Sequence, residues 1–323
     1  MEELIRTVSL KAYYKIGRNS FVHAVDNVNL SIRKNEVIGI AGESGCGKST
    51  LLKILVRDLK PPLTIIEGKV FYFLNNEKID IYSLSESEFS NFKWKFFSFI
   101  PQSVMGSLNP TSKIKKIFEE TIKAHNNISK EEAQNLIEET FENMGLSKEL
   151  LKFYPHQLSG GMRQRVIIAL AIIAKPKVIF CDEPTTGLDL VTQKGILQSL
   201  QDLQRELKNT LVLVSHDMGI HAQLTHRIAV MYGGKIVEFA PTESIFEKPY
   251  HFYTKALINS LPIIGDPSYK SGISGSPPSL IDPKIGCRFV SRCPEGRPEC
   301  ESKELPLIEI EPDHYISCLK YGG

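Results

Sequence analysis

The stretch Gly42-Glu43-Ser44-Gly45-Cys46-Gly47-Lys48-Ser49-Thr50 constrains this chain more than any other. It fits G-x-x-x-x-G-K-[ST], the phosphate-binding P-loop. The apolar run Val37-Ile38-Gly39-Ile40-Ala41 precedes it, and helix-like Leu51-Leu52-Lys53-Ile54-Leu55 follows. That is the strand–loop–helix context the pattern requires. Glycines let successive backbone N–H groups turn inward around phosphate oxygens. The following helix aims the positive end of its dipole at the same oxygens. Lys48 can reach β- and γ-phosphates, and the Ser49 hydroxyl can ligate Mg²⁺.

The rest of the chain supplies parts that suit such a loop. Leu4 to Tyr14 and Val28 to Ile32 read as strands, with a turn at Asn35 before the P-loop strand. Tyr13 or Tyr14 could stack on a base, or simply pack in a sheet. Pro61-Pro62 breaks the chain after the P-loop helix, and Gly68 to Leu74 is a short strand. Phe96 to Ile100 is another, ending at Pro101-Gln102. A glutamine there can offer its carbonyl oxygen to Mg²⁺ or to an attacking water. Residues 107–157 read as helices, with Ser129 and Glu132 forming a capping box and Gly145 as a stop.

Leu158-Ser159-Gly160-Gly161-Met162-Arg163-Gln164-Arg165 then opens a helix expected over Met162 to Ala174, a second helix N-terminus able to hold phosphate. Lys177 to Cys181 is a short apolar run, as in a buried parallel strand, and it ends in Asp182-Glu183. A carboxylate at that edge can hold Mg²⁺, and a second can polarise a water for attack on phosphorus. Leu211 to Ser215 is another buried strand, ending at His216, whose imidazole could meet a γ-phosphate. Ile228–Tyr232 and Lys235–Phe239 read as a hairpin.

Composition limits the setting. With 323 residues the chain can build a large core, and a net charge of +2 offers no global reason to bind nucleic acid. Its longest clean apolar run, Val166 to Ala174, falls well short of the ~20 residues of a spanning helix. The start, Met1-Glu2-Glu3-Leu4, lacks a basic stretch followed by an apolar one. A cytosolic chain is therefore expected, with any membrane role exercised through a partner. Of six cysteines, Cys46 and Cys181 fall in the nucleotide motifs, while Cys287, Cys293, Cys300 and Cys318 cluster near the end. In a reducing cytosol such a cluster reads as a metal site rather than disulfides.

Taken together, these motifs resemble the ATP-binding subunit of an ABC transporter. Leu158 to Arg165 matches the family signature, and the P-loop, Gln102, Asp182-Glu183, Gly187-Leu188-Asp189 and His216 follow in the family's order. The resemblance covers residues 1–250 or so. It implies an α/β P-loop NTPase, with a RecA-like core and an antiparallel β subdomain, an inserted helical subdomain at about 103–165, and a small Cys-containing C-terminal extension at 251–323. It implies that Gly42, Ser44, Gly45, Cys46, Gly47, Lys48, Ser49 and Thr50 hold ATP, with Tyr14, or alternatively Tyr13, on the adenine. Ser49, Gln102 and Asp182 would bind Mg²⁺, Glu183 would be the general base, and His216 would sense the γ-phosphate. Ser159, Gly160 and Gly161 would face the ATP of a second ATPase subunit in a head-to-tail dimer, with Asp189 at the seam.

Phe246 to Leu257 resembles the P-x-H-P-Y-T-x-x-L segment of oligopeptide, dipeptide and nickel importers, with Phe252 in place of the usual proline. After a flexible linker, Ser271 to Pro278, the four cysteines of segment 286–318 are similar to that subfamily's C-terminal extension. Four thiolates can hold a [4Fe–4S] cluster or Zn²⁺, and the spacing lacks the C-x₂-C pairs of zinc ribbons. The resemblance favours iron–sulfur. It also implies a second ATPase of different sequence, two membrane permease subunits and an extracytoplasmic solute-binding protein, with this chain peripheral on the cytoplasmic face. A soluble ATPase acting on DNA or the ribosome is disfavoured by the short span between Lys48 and Ser159 and by the single cassette. A P-loop kinase would have no use for the signature or the cysteine tail.

Overall fold

The computed structural model describes residues 2–75, 77–102, 106–125, 128–261 and 272–322. The linker's Ser271 and the first residues of the expected helical block, 103–105, lie outside that set. Along the chain come β1 (Glu3–Lys15), β2 (Phe21–Arg33), β3 (Val37–Ala41), α1 (Lys48–Leu55), β4 (Leu63–Leu74) and β5 (Glu77–Asp80). Then follow α2 (Glu86–Phe96), β6 (Phe97–Ile100), α3 (Ile114–His125), α4 (Lys130–Asn143), α5 (Gly160–Ile172), β7 (Val178–Asp182), α6 (Leu190–Leu207) and β8 (Thr210–Val214). Last are α7 (Met218–Leu224), β9 (Arg227–Tyr232), β10 (Lys235–Pro241), α8 (Thr242–Glu247), α9 (Phe252–Asn259), α10 (Pro298–Ser302), β11 (Ile308–Glu311) and β12 (His314–Ile316).

The chain packs as two units, Met1–Ser83 with Val214–Gly323, and Leu84–Leu213. The first unit holds an antiparallel sheet in the order β2-β1-β4-β5 and a second run of strands in the order β11-β12-β10-β9-β3. Strand β3 is apolar and wholly buried and pairs in parallel with β9, which places the P-loop at its end. The β2 strand extends well beyond the alternation at Val28–Ile32, because its polar residues are each held. Asp26 accepts from the Tyr13 hydroxyl at 2.7 Å and pairs with Arg288, and Asn29 accepts from the Ser9 N–H at 2.9 Å. The tail hairpin β11–β12 is short, and the alternating Ile308-Glu309-Ile310-Glu311 of its first strand is not among the strands read from the sequence above. It forms because Glu238, fully buried on β10, accepts from the N–H groups of Tyr250 and His251 and meets His314 Nε2 at 2.7 Å.

In the second unit the strand order is β8-β7-β6, with β6 and β7 parallel. Phe97 of β6 meets Phe180 of β7 edge-on at 5.6 Å. Helix α4 opens with the expected capping box, Ser129 Oγ accepting from Glu132 N–H and the Glu132 carboxylate from Ser129 N–H. Phe118 of α3 packs edge-on against Phe141 of α4 at 5.2 Å. A second capping box, Ser85 and Glu88, starts α2, a helix hidden from the apolar pattern by its aromatic-rich, weakly amphipathic sequence.

Buried charge and buried imidazole set the stability of the first unit. Arg227 forks onto Glu36 at 2.9 and 3.0 Å and also reaches Asp313 at 3.2 Å, tying β9 to the turn before β3 and to the tail hairpin. Arg227→Met would leave Glu36 buried without its main cation, so urea unfolding should show a loss of about 3–5 kcal/mol. An unchanged midpoint would refute that role. His221 and His251 are buried, and burial pushes both imidazoles down to about 4. The unfolded chain titrates its histidines near 6.5, so it binds protons that the folded chain refuses as pH falls from 6.5 towards 4. Each group should then remove up to about 1.4 kcal/mol per pH unit across that window. His221→Asn should flatten the acid slope of the unfolding free energy by about one group's share, and an unaltered slope would count against it.

Candidate nucleotide-binding site

In the first unit the P-loop leaves β3 and enters α1. Two of its glycines are required by close approach. A Cβ on Gly42 would lie 2.2 Å from the Met231 carbonyl oxygen, and one on Gly47 would lie 2.0 Å from that of Ala24, both at positive φ. Lys48 is buried and turned back over its own loop. Its Nζ donates to the carbonyls of Gly42 at 2.7 Å and Glu43 at 2.9 Å, and approaches Cys46 Sγ at 3.8 Å. A cation held by neutral carbonyls and a thiol sulfur beside a helix N-terminus is suited to exchange them for an anion.

The two candidate adenine aromatics separate. Tyr13 is buried, donates to Asp26, and stacks on the His23 ring at 3.8 Å. Tyr14 is half-buried and its hydroxyl lies 3.1 Å from Thr50 Oγ1, beside the P-loop helix. His216 is exposed just after β8. A histidine the sequence reading did not single out, His221, lies under the P-loop strand: its ring occupies the space a Cβ on Gly39 would need, and its Nε2 meets the Ser215 carbonyl at 3.1 Å. Its only sequence signal is the glycine opposite it.

In the second unit, Asp182 is the buried last residue of β7, and Glu183 follows in the left-handed region at φ 48°. That backbone is strained for a glutamate, and such strain is held where surroundings fix it. The Glu183 carboxylate accepts from Thr186 Oγ1 at 2.7 Å and from Gln102 Nε2 at 3.3 Å, so Gln102 and Glu183 come together as the motif order suggests. Ser159 caps α5 by accepting from the Met162 N–H, so the helix starts at Gly160 rather than at Met162. A Cβ on Gly161 would meet the Thr192 methyl at 2.5 Å. Thr192 in turn donates to Asp189, the N-cap of α6, at 2.6 Å from its hydroxyl and 3.0 Å from its N–H. Those bonds hold the Asp189 carboxyl below the usual range. The signature and the Asp189 turn are thus one packed feature, whose next residues, Leu190 and Val191, are both 83% exposed.

The cysteine-rich tail corrects the sequence reading. Cys287, Cys293, Cys300 and Cys318 are all free thiols and line one cavity of about 240 Å³. Among the described residues, however, no three His, Cys, Asp or Glu groups converge so as to hold a metal ion. The thiols are set around the cavity wall with Phe252, Leu305 and Leu319 among them. Burial also pushes the Cys287 thiol up to about 11. The expected [4Fe–4S] or Zn²⁺ centre is therefore not upheld, and Cys287 and Cys293 instead pack against the apolar cluster of Tyr232, Tyr253 and Phe289.

The chain is similar to known proteins along nearly its whole length. The profile described as ABC transporter matches residues 25–186, and that described as oligopeptide/dipeptide transporter, C-terminal region, matches residues 237–300. The chain is similar to the dipeptide transport ATP-binding protein DppD of Caldanaerobacter subterraneus, at 38% identity over 99% of this chain and 98% of the relative. It is also similar to the oligopeptide transport ATP-binding protein AppD of Bacillus subtilis, at 34% identity over 99% and 98%. Among solved structures it is similar to a dimeric ATP-binding cassette in a post-hydrolysis state with ADP and Pi, at 29% identity and a TM-score of 0.65, over 74% of this chain and 99% of that one. The strand–loop–helix cradle, the signature helix and relatives of this similarity along nearly the whole length lead to one conclusion: the chain belongs to the ABC transporter family, with the ATP-binding cassette fold and the C-terminal region of its oligopeptide and dipeptide transporters.

Proposed function

We propose that this chain energises the import of short peptides as one ATPase subunit of a membrane transporter. The observation that carries the reading is the P-loop cradle, with Lys48 parked on two exchangeable carbonyls at the head of α1. The chain is an ABC-type ATPase; peptide as solute is taken from the relatives.

In this reading Lys48 and the loop amides of Gly42 and of Ser44 to Thr50 grip the triphosphate, and Tyr14 carries the adenine. Ser49, Gln102 and Asp182 would each offer Mg²⁺ an oxygen donor of the kind it prefers, and the ion would neutralise charge on the phosphate oxygens. Glu183 takes the proton of the attacking water, aimed by Thr186 and Gln102, and His216 engages the γ-phosphate. Ser159, Gly160 and Gly161 present a capped helix N-terminus to the nucleotide of a second ATPase subunit. The exposed pair Leu190 and Val191 lies beside Asp189, on the face this reading assigns to the seam. Closure of the pair on two ATP molecules is the step passed to the membrane.

Among the described residues no helix is long and apolar enough to cross a membrane. In this reading, which follows the relatives, the subunit works through two permease partners, from their cytoplasmic side, with an extracytoplasmic binding protein delivering the solute. Residues 1–250 act as the ATPase domain, α3 and α4 belong to its helical subdomain at about 103–165, and residues 251–323 form the extension.

Glu183→Gln should keep ATP affinity within about twofold and slow hydrolysis at least a hundredfold, accumulating closed dimer on size exclusion with ATP. Hydrolysis at the wild-type rate would remove Glu183 from its role. Lys48→Ala should abolish measurable ATP binding in calorimetry, and unchanged affinity would contradict the cradle.

A further inference from the structure

Glu43 places a carboxylate on the loop that receives a triphosphate, and like charges repel. The tail answers it. Arg292, with its side chain 3% exposed, forks onto Glu43, Nη1 to Oε2 at 2.8 Å and Nη2 to Oε1 at 3.0 Å. The guanidinium also donates to the carbonyls of Ser274 at 2.8 Å and Ile273 at 2.9 Å, and to the Tyr232 hydroxyl at 3.2 Å. Its plane lies near the rings of Tyr232 and Phe289, each 5.8 Å from the guanidinium carbon. Phe289 is itself plugged edge-on against Tyr232 at 5.2 Å. From the other side, the Glu43 N–H donates to the Tyr253 hydroxyl at 2.8 Å, and the Glu43 carbonyl accepts from Lys48.

Glu43 is therefore a node. Its carboxylate and N–H are held by residues C-terminal to 250, while its carbonyl holds the phosphate-binding lysine. We propose that Arg292 is a positioning residue for nucleotide binding, which neutralises Glu43 and keeps the P-loop in place as Lys48 leaves its carbonyls for the phosphates. The inference rests on the ATP-binding reading given above. It makes residues around Cys293 a determinant of ATP affinity, through a bidentate pair that lysine cannot reproduce.

The test is calorimetric titration of the full chain with ATP, alongside steady-state hydrolysis and thermal melts. Arg292→Met should weaken ATP binding about tenfold, or ~1.4 kcal/mol, with turnover at saturating ATP within twofold of wild type. Adding Glu43→Gln to Arg292→Met removes the uncompensated carboxylate and should recover most of the lost affinity. A residue acting only on stability would give no such recovery. Arg292→Lys keeps the charge without the fork and should fall between, and it serves as the test if Arg292→Met does not fold. Near-wild-type affinity in the folded Arg292 variant, with binding abolished by Lys48→Ala, would overturn the proposal alone. A double variant weaker than Arg292→Met would overturn it too. If Lys48→Ala also binds ATP normally, the nucleotide reading fails and this inference fails with it.

Discussion

The P-loop is wedged between main chain on both flanks, Met231 against Gly42 and Ala24 against Gly47, with no room for a single carbon more. Everything the first unit does for a nucleotide depends on that fit. The amides around the phosphate position are set by β9 and β2 before any ligand arrives, so little ordering is left for binding to accomplish. Lys48 is the mobile part of an otherwise fixed device, satisfied by carbonyls until a stronger acceptor replaces them.

The second unit uses a different economy of parts. One threonine, Thr192, touches Gly161 of the signature helix and caps α6 with Asp189. The Thr192 methyl fills the place a β-carbon on Gly161 would need, so α5 and α6 pack closely at this point. Glu183 sits on strained backbone directly after a fully buried strand, and Thr186 and Gln102 limit where its carboxylate can go. Rigid strands thus present the reactive groups at their ends, as open α/β sheets generally do.

Much of this was legible before the fold was known, because phosphate chemistry demands particular residues at particular spacings. Gly42 to Thr50, Ser159 to Gly161 and Asp182-Glu183 announce themselves. Contacts between distant residues do not. Arg292 and Glu43 are 249 positions apart, and nothing in either neighbourhood names the other. β11 alternates visibly, Ile308-Glu309-Ile310-Glu311, but its partner β12 offers only three residues, and the Glu238–His314 contact that fixes the hairpin forms only once the tail has folded back. The four cysteines misled for the opposite reason: a strong local pattern suggested a metal site, yet the side chains line a cavity without converging on a point.

The pairing of β3 with β9 has a consequence for how the chain is made. A ribosome adds roughly 5–20 residues per second, so the P-loop strand waits many seconds for its parallel neighbour to be synthesised. The Arg33–Asp313 pair waits longer still, its members being 280 positions apart. The middle unit, Leu84–Leu213, is continuous in sequence and has no such delay. During translation the nucleotide loop is thus one of the first parts to be made and one of the last to be enclosed. A nascent chain stalled before residue 227 presents the apolar strand Val37–Ala41 without its β9 partner, an edge open to chaperones or to aggregation.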